Sequence, residues 1–259
     1  MPAKLQKIKF DDLQIYFGEP YTVNVESAEG SITLYQPTIG DIVKIGYEKF
    51  YENLNIFVAN TTMYRTMLWD IGIDWNEFSD YQLFLLLFKN IDDKIVEPMF
   101  RDVKLSNFKP FEETLENEKR YILYDEKNHI EINEEVYNYI SQYYRTVFNI
   151  HPKDMFTKGE TMKKLWIHKD KRNAELNKFK KNPDEGKFSL KALISSCVNH
   201  SGFKYKLSEL KELPVATFFD SVQRLQIYEQ STALLKGMYS GMIDSKEIKQ
   251  EQIDFMRNF

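Results

Sequence analysis

Cysteine is almost absent from this chain: Cys197 stands alone among 259 residues. No intramolecular disulfide can form. Because nothing at the start reads as a charged, apolar and small-residue leader, a reducing intracellular setting is expected. Glycine (10) and proline (8) are both scarce, which excludes collagen-like, low-complexity and long flexible segments. The longest apolar run, Leu83 to Phe88, "LFLLLF", is six residues, far short of a bilayer span. No fixed-period repeat occurs, and no phosphate-binding glycine loop, nucleophile elbow or kinase signature.

What is present is apolar and aromatic. The chain is 42% hydrophobic and 15% aromatic, with 19 phenylalanines and 16 tyrosines, enough for a sizeable core in one large domain or two smaller ones. Tyrosines fall on more than one face of "YNYISQYYRTVF", which suits either a recognition surface or an aromatic core. The net charge of -4 is unevenly spread: residues 1–150 carry 15 Lys/Arg and 25 Asp/Glu, residues 151–181 carry 10 and 4, and the remainder balances. A basic segment therefore lies between an acidic part and a neutral one.

The patterning predicts a mainly helical α+β protein. "KIKF", "LQIYF", "YTVNV" and "SITLY" read as strands of a small N-terminal antiparallel sheet, and "KRYILYDEKNHIEI" as a mid-chain hairpin. From Ile39 to Tyr51 the apolar spacing becomes three and four, which is helical. Further helices are expected in "TTMYRTMLWDIG", in "SDYQLFLLLFKN" behind Ser79 or Asp80, and over Glu134 to Phe148. Gly159 to Lys181, "LKALISSCVNH" behind Ser189, and Pro214 to about Ser240 complete the set. Asn182-Pro183-Asp184-Glu185-Gly186 reads as a linker. The organisation is then a β-rich part at 1–36, a helical part at 37–150 with the hairpin near 119–132, a basic helix and linker at 151–186, and a C-terminal helical domain at 187–259.

Candidate chemistry is sparse. Cys197 and His200 lie one helical turn apart, but the other histidines occupy three separate segments, so neither a four-ligand metal site nor a Cys-His nucleophile is assembled. No cofactor, metal or catalytic residue is expected. In the basic segment Lys163, Lys164, Lys171, Arg172, Lys178, Lys180 and Lys181 offer charge for phosphates, with Phe156, Trp166 and Phe179 able to stack. The competing reading is a helix that answers the chain's own acidic surface, with Leu165, Ile167, Leu176 and Phe179 as a thin core-facing stripe. The acidic remainder disfavours nucleic acid. On the long C-terminal helix, Phe218, Val222, Leu225, Thr232, Leu235 and Tyr239 form one apolar stripe, and Phe219, Ile227, Leu234 and Met238 a second, the candidate partner-binding face. Gly241 is expected to end this helix in the left-handed conformation, and Gly237 to loosen its last turn or admit another backbone. A terminal helix capped by Asp244 or Ser245 would follow.

The run "FKYKLSELKELPVATFFDSVQRLQIYEQSTALLKGMYSGMIDSKEI", with "LYQPTIGDIV" and "LWDIGIDWNEFSDYQLF", resembles tail assembly chaperones and related tail-morphogenesis proteins of long-tailed bacteriophages of Gram-positive hosts. The resemblance implies a non-enzymatic protein of the host cytoplasm that keeps the tape measure protein soluble and gathers tail-tube subunits; self-association is a separate expectation. A structural baseplate or tail-tip subunit of the virion is the alternative, and a nucleic-acid-binding module using residues 153–181 the second.

Overall fold

The computed structural model describes residues 7–115, 118–178, 188–244, 246 and 248–257. Phe179, Lys180, Lys181 and the linker 182–186 lie outside them. The protein is α+β and mainly α, with a two-stranded and a three-stranded antiparallel sheet.

Neither "KIKF" nor "LQIYF" forms a strand: residues 7–10 have no regular structure, and "LQIYF" is part of α1 (Asp12–Phe17). Asp11 caps it, its carboxylate accepting from Leu13 N at 2.8 Å and Gln14 N at 3.0 Å, and left-handed Gly18 ends it. A cap and a stop that bracket six residues outweigh the β-propensity of Ile15, Tyr16 and Phe17. β1 (Tyr21–Val23) and β2 (Ile32–Leu34) pair antiparallel, as expected, with Val23 opposite Ile32.

Thr38 begins α2 (Ile39–Ile45) with a capping box: its hydroxyl accepts from Asp41 N at 3.1 Å while the Asp41 carboxylate accepts from Thr38 N at 2.9 Å. The helix expected to run on to Tyr51 breaks at Gly46, whose φ of +99° is unfavourable for other residues. α3 (Tyr47–Val58) continues in a new direction. α4 (Arg65–Asp70) starts later than Thr61 or Thr62. α5 (Asp80–Phe88) has the predicted cap, Ser79, boxed with Gln82, and is followed by α6 (Asp93–Val96).

A strand then appears where the sequence looks irregular. β3 (Lys109–Leu115) pairs with β4 (Glu118–Asp125), which pairs with β5 (Ile130–Ile132) in the predicted hairpin. Pro110 hid β3, because proline argues against a central strand; β3 lies at the sheet edge, where proline is tolerated.

α7 (Glu134–Val147) is the axis of the core. Tyr137, Tyr143 and Tyr144 are almost completely buried with Phe50, Phe57, Phe84 and Phe100. The Phe84 and Tyr137 rings stack at 4.7 Å, and Phe57 lies 5.2 Å from Phe100. The aromatic surplus is thus largely core. Each such ring contributes about 1.5–3 kcal/mol relative to exposure, provided its hydroxyl is bonded; Tyr144 OH donates to Met99 O at 2.7 Å.

α8 (Glu160–Lys178) is followed by α9 (Leu190–Val198), capped by Ser189, and α10 (Val215–Tyr239). The start of α10 is joined to the N-terminal part through backbone: Ile39 N donates to Leu213 O and Val215 N to Pro37 O, both at 3.1 Å, with Thr38 and Pro214 bridged. Gly241 has the expected left-handed φ, +73°. Gly237 meets the Ile243 side chain rather than another backbone. α11 (Gln250–Ile253) begins after Asp244 and Ser245, with Lys249 at the cap position.

Candidate functional site

The basic helix α8 carries the most conspicuous charges of the sequence. α8 packs on α4 and the loop after it. Arg65 donates to Asp170 through Nε at 2.6 Å and Nη2 at 2.8 Å, Lys171 pairs with Asp70 at 2.5 Å, and Lys163 pairs with Asp74. Lys164 pairs with Glu160 of its own helix at 2.6 Å. The approach to α8 is tied down as well: Trp75 Nε1 donates to Met155 O at 3.2 Å and Asn76 Nδ2 to Thr157 O at 2.7 Å.

Three of the predicted basic residues therefore face carboxylates of this chain. Arg172 and Lys178 are exposed, and Lys180 and Lys181 lie outside the described residues. The expected core stripe is narrower than its sequence: Ile167 is buried, but Leu165 and Leu176 are each 55% exposed. Ionic pairing to α4 orients the helix, so a single aliphatic anchor suffices.

The predicted partner face on α10 is divided by the fold. Phe219 lines a 290 Å³ cleft with Tyr16 of α1 and Val147 of α7. Ile227 is buried, while Leu234 and Met238 are half-buried. The cause is the C-terminal segment, which returns along α10. Ser231 Oγ donates to Gln252 O at 3.1 Å and Arg224 Nη1 to Arg257 O at 2.7 Å. On the opposite flank His200 Nε2 lies 3.6 Å from Glu229 Oε1. The apolar residues left in solvent are others: Tyr228 and Phe255 at 55%, Met256 at 71%, Tyr239 at 80% and Met242 at 85%. Tyr228 and Phe255 meet beside the middle of α10, ring centroids 6.4 Å apart, while Tyr239 and Met242 lie at its C-terminal end. Periodicity alone could not separate these sets, since both stripes look equally apolar in sequence.

A second apolar surface was not foreseen. Residues of α2, α9 and the 3-10 turn Glu209–Glu212 enclose an open groove of 830 Å³.

Charged groups inside the fold act as clamps. Asp80 accepts from Thr61 N at 3.1 Å and Arg145 Nη2 at 3.1 Å, while Arg145 also donates to Val58 O at 2.8 Å and Ala59 O at 3.0 Å. One ion pair thus fastens the end of α3, the start of α5 and α7. Burial raises the Asp80 carboxyl above the ordinary carboxylate range, with Arg145 opposing it. Burial likewise pushes the Cys197 thiol up, which makes it a poor nucleophile at neutral pH. Among the described residues no three His, Cys, Asp or Glu converge as metal ligands, and no helix is long and apolar enough to cross a membrane.

A family model described as the YomV second domain matches residues 180–259. This is a phage-type family, and the match is consistent with a phage protein. It covers α9, α10 and α11, and with them the exposed apolar group. No curated protein matches the chain, and no solved structure does.

Proposed function

We propose that the chain is a non-enzymatic phage morphogenesis protein acting as a tail assembly chaperone in the host cytoplasm. It holds the tape measure protein soluble through apolar contacts and helps tail-tube subunits gather around it. The observation that carries this reading is the exposed apolar group at the far end of α10, Tyr239 and Met242 above all, within the segment that matches a phage-type family. A free monomer gains nothing from such side chains in water, whereas a long amphipathic partner would bury them at about 25 cal/mol per Å² before ordering costs.

Co-expression with the longest coiled-coil-like protein encoded nearby, followed by affinity capture, tests the proposal. The partner should remain soluble and be captured, and Tyr239→Asp with Met242→Asp should abolish capture without shifting the thermal melt. The finished particle should lack the chain. Retention in particles at fixed stoichiometry would instead identify a baseplate or tail-tip subunit, and failure to keep the partner soluble would remove the chaperone role.

A further inference from the structure

The groove between α2, α9 and the 3-10 turn is apolar within and basic at its edges. Val43, Ile194, Val198 and Leu207 are among its walls, and Val43 and Leu207 remain 59% and 61% exposed. Its floor is set by a close approach: a Cβ on Gly40 of α2 would lie 2.5 Å from the Lys211 carbonyl oxygen, so only glycine lets the two elements meet this closely. The charged residues that line the groove are Lys44, Lys191 and Lys211, with no acid among the lining residues. All three lysines are exposed. None has an ion-pair partner among the described residues.

This is a local inversion of the chain's charge. Residues 1–150, which supply Lys44, are acidic as a whole, and α8 meets that acidity with paired lysines. Around the groove the lysines have no such answer. The hollow that adjoins it shares Tyr47, Leu190 and Lys191 with the groove and adds Glu48 and Lys49, which offset each other. Glu209 and Glu212 of the 3-10 turn are not among the groove's lining residues.

The geometry points to this groove as the docking site for an amphipathic helix of another protein, with apolar residues on one face and aspartate or glutamate along both margins. Apolar walls select a helix over an extended peptide, because an extended segment would leave its N-H and C=O groups unbonded against them while a helix satisfies its own. α9, with nine residues, is roughly 13 Å long at 1.5 Å per residue. The groove therefore holds about two turns, read as anchors at i, i+3 or i+4, and i+7. The three lysines then select acidic margins and reject basic ones. The inference is independent of a role in tail assembly.

Fluorescence anisotropy on the full chain tests it with labelled helical peptides that share one leucine face and carry either glutamate or lysine margins. The glutamate peptide should bind, and the lysine peptide should bind about tenfold more weakly or not at all, the combined effect of three exposed charge contacts. Val43→Glu and Leu207→Glu, at exposed positions that leave the melt unchanged, should abolish binding; Lys44→Glu with Lys191→Glu and Lys211→Glu should reverse the preference. Equal affinity for both peptides, or binding that ignores these substitutions, would overturn the assignment. So would a concentration-dependent dimer in light scattering that Val43→Glu dissolves, since the occupant would then be a second copy of this chain.

Discussion

Arg65 of α4 and Asp170 of α8 meet fork to fork, with both contacts at or below 2.8 Å and the guanidinium centred 5.6 Å over the Trp166 ring. Two parallel charge-assisted bonds fix orientation as well as distance. Asp170→Ala should cost about 2–3 kcal/mol in urea unfolding, and a double-mutant cycle with Arg65→Ala should show strong coupling. Coupling below about 0.5 kcal/mol would mean that the pair is too solvated to hold α8.

The same docking bears on the nucleic-acid alternative. Lys163 and Lys171 are engaged by Asp74 and Asp70, so no affinity for single- or double-stranded DNA is expected even at about 50 mM salt, where phosphate contacts are strong. Filter binding that falls steeply with salt, and disappears when Lys163, Lys164, Lys178 and Lys181 are reversed to glutamate, would restore that alternative.

Asp80 should give the fold a pH dependence of definite sign. Burial, the larger influence, raises its carboxyl despite Arg145, so the folded state takes up this proton more readily than the unfolded state. Its contribution is therefore fully present below the ordinary carboxylate value and is lost as pH rises through the raised one. Between those values, wild type should lose stability relative to Asp80→Asn with increasing pH. A relative gain by wild type over the same window would show that attraction to Arg145 outweighs burial.

Two glycine substitutions should differ in kind. Gly241→Ala strains a left-handed backbone in open space and should cost about 1 kcal/mol, confined to the end of α10. Gly40→Ala drives a methyl group against the Lys211 carbonyl, and should cost about 1–3 kcal/mol while widening the groove. Thermal melts give the costs, and thiol labelling of buried Cys197 on α9 reports the widening. Unchanged labelling in Gly40→Ala would show that the strain is absorbed elsewhere.

The legible parts of the fold were those whose signals are local. Ser79 and Ser189 cap the helices they were expected to cap, and the three-and-four spacing of α7 marks its buried face. α1 misled because Ile15, Tyr16 and Phe17 favour a strand, although Asp11 and Gly18 already bracketed a helix. β3 was hidden by Pro110, whose meaning depends on edge position, and edge position is set by pairing. The pairing of α8 with acidic residues was one of two readings that its composition left open. On α10 the sequence could not foretell that the C-terminal segment would return over Ile227 and leave Tyr239 and Met242 in water. The groove left no local signal at all, since Val43, Lys191 and Lys211 belong to three separate elements.

The seam at Pro37, Ile39, Leu213 and Val215 is made from main-chain hydrogen bonds. Such bonds are blind to which side chains hang from the paired residues, provided that the donor nitrogens of Ile39 and Val215 are not replaced by proline. The joint itself therefore sets no requirement on the side chains at Ile39 and Val215 beyond their apolar burial, whereas Gly40 beside it must stay small against the Lys211 carbonyl. A C-terminal segment fastened in this way can change at its far end without renegotiating its foothold.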